Sequence, residues 1–175
     1  KFLSIIPGLL QLPISPANGV NGGVVNGAAI YCGMATQVVP GNSTTNALVP
    51  KVSVPFVIKK PKLDKLAGAG YVVFQLKEQG VVVASGELAT NEKSDYDYIS
   101  TSIIVRDFVN TIRVRLDTYL GKGIDQISLA AMQTAVDGVI RDKVEAGAIK
   151  KGVAQVIPNG VFGVEIPYTL APKFE

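Results

Sequence analysis

Residues 98–152, YISTSIIVRDFVNTIRVRLDTYLGKGIDQISLAAMQTAVDGVIRDKVEAGAIKKG, are the most strongly patterned part of the chain. Apolar residues at Val105, Phe108, Val109, Ile112, Leu116, Tyr119 and Leu120 recur every three or four positions. So do Leu129, Met132, Val136, Val139, Ile140 and Val144. Each set lines one face of an α-helix. A short loop at Gly121-Lys122-Gly123 joins the two. Asp125 or Ser128 is placed to cap the second helix, and Gly147 to close it. Asp117 lies four residues from Arg113, and Asp137 four from Arg141, the spacing of exposed ion pairs. This is a packing scaffold rather than a reaction centre.

Downstream, Lys150-Lys151-Gly152 leads into a strand predicted over residues 153–157. Pro158-Asn159-Gly160 reads as a tight turn, because Asn-Gly tolerates positive φ. Val164, Ile166, Tyr168 and Leu170 then alternate with Glu165, Pro167 and Thr169, the pattern of a one-sided strand. Pro167 lacks an amide donor, so that strand cannot be paired continuously on both edges. It is a sheet edge, or an arm that pairs elsewhere.

Upstream, residues 71–76 and 81–84 flank Lys77-Glu78-Gln79-Gly80 and predict a buried β-hairpin running toward Leu88. Residues 63–69 predict a short helix closed by Gly70. Residues 24–37 are small and predict a tightly packed helix capped by Asn21. Its Gly27 and Gly33 permit close approach of a neighbour, at about 1 kcal/mol each in helix propensity. Residues 2–6 read as a short buried strand, and residues 9–18 as irregular. Ser43-Thr44-Thr45-Asn46 reads as a surface loop. Val52-Ser53-Val54 and Phe56-Val57-Ile58, separated by Pro55, predict an extended edge or arm among Lys51, Lys59, Lys60, Lys62 and Lys65. Residues 89–97 are a polar connection whose Asp95 and Asp97 read as acids at a helix entry, since an EF-hand needs a longer ligand series. The order of elements predicts an α+β domain, a mixed sheet packed against amphipathic helices with a C-terminal edge strand or arm. Residues 1–160 form the expected core domain and residues 161–175 the strand or arm.

Composition narrows the chemistry. The chain has 175 residues, enough for a sizeable core, and 47% of them are apolar. Residues 1–70 hold six lysines and one aspartate, a charge of +5; residues 71–175 hold eleven basic and thirteen acidic residues, a charge of −2. A basic arm of this kind meets an acidic partner or phosphates, yet it lacks the arginines and interleaved aromatics of a single-strand groove. Histidine is absent, which removes Ser-His-Asp and Cys-His catalysis and His-ligated metal sites. The single cysteine, Cys32, excludes an intrachain disulfide and is expected to be a buried inert thiol. The glycines match neither dinucleotide nor phosphate-loop spacing. No stretch is apolar enough to span a membrane as a helix. No nucleophile–base pair, acid pair or metal set has a workable spacing, so neither enzymatic activity nor a cofactor is expected.

Several runs are similar to one family. The run Ile103-Ile104-Val105-Arg106-Asp107-Phe108-Val109-Asn110-Thr111-Ile112-Arg113, then Tyr119-Leu120-Gly121-Lys122, then Glu145-Ala146-Gly147-Ala148-Ile149, resembles the C-terminal domain of contractile phage tail sheath proteins. Leu66-Ala67-Gly68-Ala69-Gly70-Tyr71-Val72-Val73 resembles their entry to a core hairpin, and residues 24–35 with Thr44-Thr45-Asn46 resemble their small-residue helix and following loop. The similarity runs over residues 19–157 in consistent order.

The resemblance implies a structural subunit of a contractile tail sheath, or of the sheath of a related injection machine. Such subunits assemble as stacked hexameric rings around a tail tube and contract to drive the tube through the host envelope. The implied partners are further copies of the chain, the tail tube protein, the baseplate and the tail terminator, with no direct nucleic-acid contact and no membrane span. The implied location is the virion tail, assembled in the host bacterial cytoplasm. Terminal arms exchange strands between subunits, a role that Val164, Glu165, Ile166, Pro167, Tyr168, Thr169 and Leu170 suit by β-augmentation. Arg141, Lys143, Lys150 and Lys151 are the expected contacts to an acidic tube surface. Whole sheath proteins are longer, so the chain is expected to be the C-terminal portion of one. Two other readings stay open: another self-assembling tail component, such as a terminator or baseplate protein, and a small basic nucleic-acid-binding module using residues 51–65.

Overall fold

The structure, a computed structural model, describes residues 5–15, 20–88, 96, 98–119, 129–159 and 163–172. The chain divides into two compact units, Lys1–Ser102 and Ile103–Glu175. The division falls within the first turn of a long helix, and the expected boundary at residue 160 lies inside the second unit.

The first unit opens with four short strands, β1 (Leu9–Gln11), β2 (Ile14–Ser15), β3 (Val20–Asn21) and β4 (Val24–Asn26). β1 pairs antiparallel with β4, and β2 with β3. Residues 9–15 are therefore not irregular: Leu10 is buried, and the prolines confine the ladder to short pieces. The predicted strand over residues 2–6 is described only at Ile5 and Ile6, where Ile5 is exposed and makes a lone parallel bridge to Tyr71. Helix α1 (Gly27–Gln37) starts later than expected because Val24 and Val25 are held in β4. Its cap is Asn26, whose Oδ1 accepts from the Ala28 amide at 2.9 Å, and not Asn21. Gly27 has the packing role foreseen for it: a Cβ there would stand 2.4 Å from the Phe74 ring. Gly33 has no such neighbour. Cys32 is exposed on α1, which corrects its expected burial.

Helix α2 (Lys60–Gly68) begins with Pro61 in its first turn, where a missing amide costs nothing. Gly70, at φ 75°, closes it while the Tyr71 amide reaches back to the Leu66 carbonyl. β5 (Val73–Lys77) and β6 (Gly80–Ser85) form the predicted hairpin. Val72, Phe74, Val81 and Val83 join Leu10, Tyr31 and Val49 in one core. Thr44 belongs with that core and not with a surface loop, because its hydroxyl meets the buried Tyr31 hydroxyl at 3.0 Å. Residues 52–58 form no strand; Ser53 alone bridges to Gln11.

The second unit is built on α3 (Ile99–Leu116), a turn of 3-10 helix (Asp117–Tyr119) and α4 (Leu129–Glu145). The joining loop at Gly121-Lys122-Gly123, with Leu120, Asp125 and Ser128, lies outside the described residues, as do Asp95 and Asp97. Gly147, at φ 73°, ends α4 as expected, with the Ala148 amide donating to the Lys143 carbonyl at 3.0 Å. Phe108, Ile112, Met132, Val136 and Val139 form the helical seam, and Leu116, Tyr119 and Ile140 pack beside it. Four strands follow: β7 (Ile149–Ala154), β8 (Ile157–Asn159), β9 (Gly163–Glu165) and β10 (Tyr168–Pro172). β7 pairs antiparallel with β10, and β8 with β9.

The fold class is α+β, but the strands do not join into the expected mixed sheet. Among the described residues they form five two-stranded antiparallel pairs. Along the other edge of β6, residues 46–49 run antiparallel without forming a strand: Leu48 bridges to Val82, and the Val49 and Asn46 amides donate to the Val81 and Val83 carbonyls at 2.8 Å.

Candidate assembly site

The residues singled out for assembly lie at the end of the second unit. Val164 and Glu165 fall in β9, Tyr168, Thr169 and Leu170 in β10, and Ile166 and Pro167 link the two. The single predicted strand is thus two strands. β10 does not float free: Tyr168 lies opposite Ala154, Thr169 opposite Val153, and Leu170 opposite Gly152. Pro167 contributes its carbonyl, which accepts from the Gln155 amide at 3.1 Å.

Alternation sorts the side chains. Val164, Ile166 and Leu170 pack against the seam, and Ala154 is buried within it. Phe108 meets Tyr168 edge-on, with ring centroids 5.2 Å apart. Gly152 favours this approach: a Cβ there would stand 2.8 Å from Leu170 Cδ2, which would have to shift. On the other face Lys151 and Thr169 are exposed, and Val153 is 70% exposed. Lys150 sits where the register slips between Ala171 and Pro172, which turns two consecutive lysines outward.

Gln133 is a residue that pattern reading missed. Its Nε2 donates to the Ala154 carbonyl at 2.9 Å and to Asp137 Oδ1 at 2.8 Å, while its Oε1 accepts from the Val156 amide at 2.9 Å. These bonds satisfy the backbone where β7 ends, so β8 starts a separate pair and the predicted 153–157 strand is split. The only sequence signal was a polar residue beside Met132 and Val136 on the apolar side of the helix. Pro158 and Asn159 belong to β8 rather than to a tight turn, and Gly160 lies outside the described residues.

The predicted ion pairs are replaced by others. Asp137 is bound by Gln133. Arg115 pairs instead with Asp142 at 3.1 Å, and Lys143 with Asp107, both joining α3 to α4. Of the four expected tube contacts, Arg141, Lys150 and Lys151 are exposed, while the Lys143 ammonium is held by Asp107 and half-buried. Arg141 and Lys143 are two positions apart on α4, so they do not share a face. Two-stranded pairing leaves an outer edge on each of β7 and β10 with no ladder partner among the described residues. No group of three or more His, Cys, Asp or Glu side chains is placed to hold a metal among the described residues. No helix among them is long and apolar enough to cross a membrane.

No protein-family profile matches the sequence, and neither does any curated protein. Solved structures do match in fold. A chain of the anti-feeding prophage helical sheath in its contracted state has a TM-score of 0.74 and 14% identity, covering 94% of this chain and 50% of that one. A chain of the anti-feeding prophage baseplate gives 0.75 and 15%, over 94% and 49%. The sheath tail protein of Desulfitobacterium hafniense gives 0.64 and 13%, over 97% and 45%. The chain spans about half the length of each of these proteins. Its fold is therefore the one found in about half of a sheath tail protein.

Proposed function

We propose that the chain is a structural subunit of a contractile tail sheath, or of the sheath of a related injection machine, and not an enzyme. The observation that carries this is the likeness to the contracted anti-feeding prophage sheath across 94% of the chain. Subunits stack as hexameric rings around a tail tube, between a baseplate and a terminator, in a tail built in the bacterial cytoplasm. The β7–β10 pair supplies what such a lattice needs. A strand edge offers directional backbone hydrogen bonds that hold neighbours together while their bodies reorient. Residues 164–170 are the assembly strand, either adding their outer edge to a neighbour or exchanging with it.

Contraction requires two lattice arrangements of different free energy and no nucleotide chemistry. Tube contact must be reversible. Exposed charges such as Arg141, Lys150 and Lys151 provide that, because each solvent-exposed pair is worth only about 0–1 kcal/mol.

Negative-stain imaging of the purified chain, alone and with the tube protein of the same particle, tests the reading. Helically stacked particles are the expected result. Closed rings that never stack indicate a terminator-like role instead. Binding to DNA with a steep salt dependence and no self-assembly contradicts both.

A further inference from the structure

The first unit exposes a short apolar tip that its own packing leaves uncovered. Phe56 is 58% exposed and Val57 72%. The tip is not a loose end. On its N-terminal side Ser53 exchanges two backbone bonds with Gln11, at 2.8 and 3.0 Å, and Val52 and Val54 pack on the core. On its C-terminal side α2 follows, anchored by the buried Leu63. Pro55 stiffens the approach.

Lysines flank it in sequence. Lys51, Lys59, Lys60, Lys62 and Lys65 are all exposed. The ion pairs found among the described residues, Arg115–Asp142 and Lys143–Asp107, involve none of these lysines. Asp64 is the one acid between residues 51 and 65. Lys59 and Lys60 are three and four positions from Phe56, so chain geometry keeps their Cα atoms within roughly 11–14 Å of its own.

The residue types select the partner. Protein interfaces are enriched in Arg, Tyr and Trp and depleted in Lys. Single-strand grooves stack bases on several aromatics and arginines. Residues 51–65 contain five lysines, one phenylalanine and no arginine. Lysines beside an exposed aromatic–aliphatic pair are the chemistry of an interfacial anchor, in which apolar groups enter the acyl boundary and ammonium groups meet anionic headgroups. We propose that Phe56, Val57 and these lysines form a peripheral docking surface for an anionic lipid bilayer. The surface lies in the other unit from the assembly strand and does not depend on assembly.

Sedimentation of the full chain with vesicles tests it. Binding is expected to phosphatidylserine–phosphatidylcholine vesicles and not to pure phosphatidylcholine, and it should weaken with salt. Replacing Lys59, Lys60 or Lys62 by Gln should each lower partitioning about fivefold. F56S with V57S should abolish it while leaving circular dichroism and the thermal midpoint unchanged, since both side chains are exposed. Equal binding to neutral vesicles, insensitivity to the lysine changes, or pelleting without lipid would overturn the proposal. So would preferential binding to DNA or to an acidic protein in competition with the vesicles.

Discussion

The hairpin β5–β6 and the ribbon β7–β10 are both antiparallel pairs, but β6 and β7 are covered to different degrees. In β6, Val81, Val82 and Val83 are at most 1% exposed, so side chains on both faces of the strand are covered. In β7, Val153 is 70% exposed and Lys150 and Lys151 point outward, while Gly152 and Ala154 face the helical seam. A continuous apolar run ends in an interior that the chain completes alone. An alternating run with a bulge ends as a half-covered ribbon. The hairpin is covered on both faces of β6, and the ribbon has a face and edges left uncovered among the described residues.

Substitutions can break that contrast, starting with the largest effect. Phe108→Ala removes the ring that supports both the seam and Tyr168. It should cost about 3–5 kcal/mol in urea unfolding, with faster amide exchange in β7 and β10 and unchanged exchange in β5 and β6. Equal acceleration in both strand pairs would erase the distinction. Gln133→Ala leaves the Val156 amide and the Ala154 carbonyl short of partners where β7 ends. It should cost about 1–3 kcal/mol by the same measurement.

The first unit carries the complementary weakness. Burial raises the Tyr31 hydroxyl above its ordinary pKa of 10.0, with the Thr44 hydrogen bond opposing. Below pH 10 the hydroxyl is neutral in both folded and unfolded chains, and its stabilising effect is fully present. As pH rises above 10 the unfolded chain ionises first, and stability falls until the folded value is passed. Alkaline titration monitored by tyrosine absorbance and exchange should therefore loosen β5 and β6, and Tyr31→Phe should remove that dependence. The smallest effect belongs to the surface. Arg115→Ala breaks an exposed pair with Asp142 and should cost no more than about 1 kcal/mol.

Much of this architecture was legible in the residues. The seam of α3 and α4, the β5–β6 hairpin and the closing roles of Gly70 and Gly147 all follow from spacing and from the φ that only glycine adopts cheaply. Several of the errors share one cause: contacts made at long sequence separation. Val24 and Val25 read as helix because nothing local reveals that Leu9–Gln11 will pair with them. Thr44 read as surface because its partner, Tyr31, lies thirteen residues away. At the candidate site, the one-sided pattern of residues 164–170 was visible. Its division into β9 and β10, and the clamp by Gln133, depend on tertiary hydrogen bonds that no periodicity encodes. The capture of Lys143 by Asp107 was hidden for the same reason.

The central claim is that the β7–β10 ribbon links copies of the chain. Its most direct test is to delete residues 163–175 and add them back as a free peptide. The structure predicts that the peptide pairs with β7, returning Leu170 to the seam and restoring the thermal midpoint. If the ribbon links copies, the truncated chain without peptide should sediment as single copies, while the intact chain forms stacked particles by negative stain. The peptide should restore stacking where the outer edge makes the link and leave single copies where strand exchange does. Stacked particles from the truncated chain without peptide would contradict the account.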